Sequence, residues 1–174
     1  MAQYADSLGM HGYGIGTSLP AYGPAVLRLA LAAVFIGHGA QKLFGLWGGA
    51  GLSGTAAAFA QAGIEPSFPL ATVWGVVQFF GGILLAVGAF TTISSIALAV
   101  LMVGGIWKAS AHGFFLNWGL TPGLGHGTEY YVVMLAALVC LMLTGPGAFS
   151  IDHRRAASAE AEAAGRARLR AGKV

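Results

Sequence analysis

Four long apolar stretches dominate the chain, at residues 24–46, 66–90, 91–114 and 128–149. Each reaches the roughly 20 residues that a helix needs to cross the hydrocarbon of a bilayer. Backbone groups in lipid must find partners within their own segment, so the stretches are expected to be helices. Pro24 and Pro66 stand where the first two begin, and Pro146 near the end of the last, as helix boundaries favour. Only "GAFTT" joins the second stretch to the third, which predicts an antiparallel hairpin. The pattern as a whole predicts an all-α fold, an integral membrane four-helix bundle. Ala33 with Gly37, and Ser95 with Ala99, have the small-x-x-x-small spacing that lets helices approach closely in lipid.

Composition supports that reading. Of 174 residues, 56% are hydrophobic and 9% charged, and mean hydropathy is +0.73. A water-soluble domain carries about 25% charged residues, so this chain lacks the polar surface to cover itself in water. The chain divides into an N-terminal tail expected to be flexible (1–23), a membrane domain (24–150) and a basic tail (151–174). The first 20 residues have no Lys or Arg, so they lack the charged region of a signal peptide. The lone Cys140 has no partner for a disulfide.

Charge sets the expected orientation. Six of the nine Lys and Arg follow Asp152, and the two long loops, 47–65 and 116–127, contain none. The positive-inside rule then puts both termini in the cytoplasm of a bacterial inner membrane and both loops outside. A basic tail trailing apolar spans is no nucleic-acid reader, which would need a basic face on a folded domain. It suits a lipid surface.

The candidate chemistry lies at the loop end of the spans. His38 and Lys42 are one helical turn apart, as are Lys108 and His112. At 1.5 Å per residue the first pair lies about 21 and 27 Å past Pro24, and the second about 26 and 32 Å past Thr91. Glu129 opens the fourth span at the same end. Ionisable residues inside a membrane normally face a bundle interior and mark a functional path. His38 and His112 are the candidate catalytic, proton-handling groups. Lys42 and Lys108, balanced in part by Glu129, would bind an anion or a carbonyl-bearing ligand, and quinone is one candidate. Trp74 and Gln78, one turn apart in the second span, are further ligand contacts. Arg28 and Asp152 are structural charges at the opposite end, expected to pair unless Arg28 reaches for the interface. No metal site is expected, since nothing has local metal-ligand spacing.

The segments "RLALAAVFIGHGAQKLFG", "VQFFGGILLAVGAF", "HGFFLNWG", "TEYYVVML" and "GPGAFSID" occur in this order. Over residues 24–153 the chain resembles the DoxX family of small bacterial membrane proteins. The spacing of Arg28, Gly37 and Lys42, the Glu129-Tyr130 start of the fourth span and the exit from Gly145 to Asp152 carry the likeness. The family often has a glutamate where this chain has Gln78, whose amide has no proton to give up. The resemblance implies a four-helix membrane protein linked to quinone-coupled oxidation of sulfur anions such as thiosulfate, or to complexes that handle oxidative stress. Two other functions compete with such a redox subunit. One is a non-catalytic scaffold docking soluble redox or sulfur-metabolism proteins, as a monomer or homo-oligomer. The other is a b-type haem protein with His38 and His112 as axial ligands. A transporter is disfavoured by the few spans.

Overall fold

The computed structural model describes residues 21–119, 122 and 125–171. The tail expected at 1–23 therefore lies almost wholly outside the described residues. Among the described residues six α-helices follow one another: α1 Tyr22–Phe44, α2 Gly51–Gln61, α3 Ser67–Val87, α4 Thr91–Ala109, α5 Glu129–Thr144 and α6 Ile151–Ala171. Among the described residues, three segments are long and apolar enough to span a membrane: α1, α3, and α4 with its 3-10 extension to His112. With the shorter α5 they form an all-α membrane bundle. We call the end where α1 and α4 begin the tail end, and the other the loop end.

The core lies between α1, α3, α4 and α5. Phe35, Leu85, Leu98, Met102, Leu138 and Leu141 are its most deeply buried side chains. Spacings of three or four residues line them up on one face of each helix. Opposite faces expose Val73, Val76, Phe80 and Ile83 on α3, and Val100, Val103 and Trp107 on α4. In water such rows would be a liability; in a bilayer they are the lipid-facing surface.

The tightest crossing is between α1 and α3, and it depends on missing side chains. A Cβ on Gly39 would come within 2.5 Å of the Phe79 amide nitrogen, and one on Gly82 within 2.8 Å of that of Ile36. The Ala33–Gly37 pair plays no part here: Ala33 is exposed and the space beside Gly37 is open.

Two elements depart from the sequence expectation. The first long loop contains α2, which packs on α1 and α3. The Thr55 hydroxyl anchors it, lying 2.8 Å from the Gly51 carbonyl and 3.4 Å from that of Lys42. The last span is shorter than the expected 128–149. Gly145, at φ 82°, leaves the helical region, and Pro146 after it cannot donate the next hydrogen bond. The basic tail is helical as far as Ala171. From His153 to Arg166 its side chains are exposed.

At the tail end, Arg28 is 1% exposed. Its guanidinium donates to the carbonyls of Leu85 (2.6 Å), Ala86 (2.9 Å), Ala148 (3.2 Å) and Phe149 (3.3 Å). It therefore ties α1 to the end of α3 and to the turn before α6. Gly88, at φ 64°, closes α3 where any side chain would run into Ser150 and Arg28. Asp152 makes no direct bond to Arg28. Its carboxylate accepts from the amides of Phe90 (3.0 Å) and Thr91 (2.8 Å), capping the first turn of α4. The expected ion pair is thus replaced by two separate sets of backbone contacts, because carbonyls and amides freed at helix ends lie nearer to each charge.

Candidate functional site

At the loop end, α1, α2, α3, α4 and α5 enclose a cavity of about 250 Å³. His38 and Lys42 enter from α1, Lys108 from α4, and Trp74 and Gln78 from α3. Lys42 and His38 are half-buried, while Lys108 reaches in from a more exposed position. The walls are aromatic. The Phe59 and Trp74 rings meet edge to face, 5.6 Å apart, and the Lys108 ammonium sits 5.5 Å from the Phe59 centroid, within cation–π range. Adjacent glycines make room: the Trp74 ring seats against Gly104 and the Tyr131 ring against Gly105.

Neither ammonium group has a carboxylate partner among the described residues. Gln78 is 5% exposed, and its Oε1 is buried with no hydrogen-bond donor. A cavity with two cations, an unsatisfied amide and an apolar floor is incomplete without a bound polar group or water.

The five ionisable residues expected at one level do not all converge. His38, Lys42 and Lys108 share the cavity; His112 and Glu129 do not line it. Distance along a helix fixes depth but not azimuth. After Ala109 the chain tightens into a 3-10 turn, Ser110–His112, which carries His112 to the exterior beside Gly125. Glu129 accepts from the Trp118 indole at 3.3 Å instead of facing a lysine. His38 lines this cavity and His112 does not, so the inner cavity does not bring together the pair needed to grip a haem iron from two sides.

Sequence reasoning missed Phe59 and Ile64, which follow from the unforeseen α2, the α4 residues Gly104, Gly105 and Trp107, and Tyr130 and Tyr131. The tyrosines were visible in "TEYYVVML" as polar rings opening a span. Their rings lie 5.3 Å apart, and Tyr130 meets His38 edge-on at 5.9 Å.

A second, more open cavity of about 570 Å³ adjoins the first. It is lined by His38, Tyr130 and Tyr131 again, together with Leu116, Asn117, Trp118 and His126. Its rim is a folded loop. Thr128 donates to Gly113 (3.1 Å), Glu129 to Phe114 (2.8 Å) and Gly127 to Phe115 (3.1 Å) through their backbone amides. The Asn117 backbone amide donates to His126 Nδ1 at 3.2 Å.

Lipid-facing apolar helices around a buried polar cavity define a multi-pass membrane protein. Comparison then gives the family: DoxX matches residues 23–118, and the chain belongs to it. The chain is also similar to the uncharacterized membrane protein Rv3486 of Mycobacterium tuberculosis (strain ATCC 25618 / H37Rv). The two are 31% identical over 133 residues, covering 74% of this chain and 78% of the relative. No solved structure matches.

Proposed function

We propose that the protein is the membrane subunit of a quinone-linked redox system and that the inner cavity holds the head of its ligand. That ligand is a small sulfur oxyanion such as thiosulfate, or the quinone that accepts the electrons. The observation behind this reading is the pair of ammonium groups, Lys42 and Lys108, in one aromatic cavity with no counter-charge among the described residues. Like charges in a poorly solvated space repel, and an anion or carbonyl oxygen between them relieves that repulsion. The size fits a head group, since whole drug-sized ligands occupy about 300–1,000 Å³. His38, beside Lys42, is an imidazole in the cavity wall that can donate or accept a hydrogen bond or a proton.

The same proposal places the protein in the bacterial cytoplasmic membrane with both termini inside. The cluster of basic residues after Asp152 supports that orientation. Single cysteines at Ser53 and Ala157 test it: an impermeant thiol reagent on intact cells should label the first and spare the second.

The test of function is binding of thiosulfate and of a water-soluble quinone to purified protein in nanodiscs. Lys42→Met should weaken binding by about 1.5–3 kcal/mol, the scale of a lost charge-assisted hydrogen bond. Lys108→Met should weaken it less, because that side chain is more exposed. His38→Gln should slow quinone reduction, assayed with copurifying partners, more than it weakens binding. Unchanged binding in both lysine variants would sink the ligand reading. A scaffold for soluble redox enzymes would then be favoured, and α6, with its exposed charged surface, is the observation on its side.

A further inference from the structure

The two cavities share three wall residues. His38, Tyr130 and Tyr131 line both the enclosed cavity that holds the lysines and the open one at the loop end. We propose that the cavities form one route, in which the outer cavity admits a small water-soluble oxyanion and these three side chains are the partition it passes to reach Lys42 and Lys108. This rests on reading the inner cavity as an anion site, and it chooses between the two ligand sources: the ligand arrives from water at the loop end, not sideways from lipid.

Three observations support the choice. First, the partition is polar. Two phenol hydroxyls and an imidazole can hydrogen-bond an oxyanion in transit, whereas a lipid portal has no use for such groups. Second, its parts differ in freedom. The Tyr131 ring lies directly on the Gly105 backbone and is a fixed jamb. Tyr130 meets His38 at 5.9 Å and Tyr131 at 5.3 Å, both edge to face, and among the described residues its ring is not seated on a glycine backbone as that of Tyr131 is. Third, the mouth is built rather than loose. Trp118 is held by Glu129, and His126 by the Asn117 amide. The cations further in draw an anion down the route, as charges of one sign focused in a low-dielectric cleft do.

Rates of entry test the proposal. In a Cys140→Ala background, Gln78→Cys places a thiol on the inner cavity wall. In nanodiscs, where both faces are open, its labelling is timed with a small sulfonate-bearing methanethiosulfonate and with an uncharged, membrane-soluble maleimide. The anionic reagent should label it. Tyr130→Ala should speed that reaction about tenfold, equivalent to lowering a barrier by about 1.4 kcal/mol. Leu116→Trp, which narrows the outer cavity without touching the inner one, should slow it by a similar factor. The maleimide should be indifferent to both changes. The proposal is overturned if the anionic reagent never reaches position 78, or if Leu116→Trp leaves its rate unchanged. Should Tyr130→Ala not yield folded protein, Leu116→Trp alone decides. Failure here leaves the equilibrium binding measured with the lysine variants untouched, so the route and the anion site stand or fall separately.

Discussion

Arg28 and Lys42 sit on the same helix, about 21 Å apart along its axis, and the protein treats them in opposite ways. Arg28 at the tail end is surrounded by acceptors: four carbonyls from two separate segments converge on one guanidinium. Its planar fork of donors suits that task. Lys42 at the loop end has no protein acceptor among the described residues and faces a second lysine across a cavity. Both terminal nitrogens of Arg28 are bonded within the protein, and only its Nε is left without an acceptor; a buried charge held in this way is part of the scaffold. One left with bonds to make is available to a ligand. Burial alone would have ranked Arg28 as the functional residue; counting partners reverses the order.

Substitutions at the two ends should separate these roles in thermal unfolding. Arg28→Met is expected to cost the most, about 3 kcal/mol, because it strands buried carbonyls in α3 and in the turn before α6. Arg28→Lys should recover only part of this, since an ammonium cannot span both segments. Both are read as a lowered Tm in detergent, and a Tm within a degree or two of wild type for Arg28→Met would erase the distinction.

Asp152→Asn should cost less, about 1 kcal/mol, the scale of a helix cap. Its effect should depend on pH. Partial burial alone would raise the Asp152 pKa, but hydrogen bonds from Thr91 and Phe90 and the charge of Arg155 outweigh it and hold the pKa below its usual 3.8. The carboxylate's contribution is therefore complete above that usual value and fades as pH falls through the lower folded one. The Tm gap between wild type and Asp152→Asn should be steady from about pH 5 to 8 and close below about pH 4. A gap that widens in acid would show that Asp152 does not cap α4. The smallest effect belongs to Lys42→Met. Removing a half-buried, unpaired charge should leave Tm within about 0.5 kcal/mol of wild type, or raise it, while ligand binding falls.

Most of the fold could be read from the sequence because lipid imposes one demand on every span, a long apolar run. The hairpin, the helix-ending Pro146 and the placing of charges at two ends followed from the same pattern. The helix α2 did not, since an Ala- and Gly-rich stretch of 11 residues is too short to span a membrane and reads as loop. With it went Phe59 and Ile64. Two of the seven expected site residues, His112 and Glu129, lie outside the cavity for a different reason. Counting residues set the depth of His112 and Glu129, but their direction depends on the 3-10 turn after Ala109 and on the loop that brings Trp118 to Glu129. Likewise the spacing of Ala33 and Gly37 marked a close helix approach, whereas the crossing uses Gly39 and Gly82 on another face.

The short helix α5 has a consequence for the surrounding membrane. Its 16 residues rise about 24 Å, against a hydrocarbon thickness of about 30 Å. The acyl chains beside it must compress or tilt to meet it, at a fraction of a kcal/mol for each ångström of mismatch. The bundle therefore carries a pinch in the bilayer along one flank. The depth of that pinch, and with it the strain on the helix that holds Tyr130 and Tyr131, varies with the chain length of the host lipids.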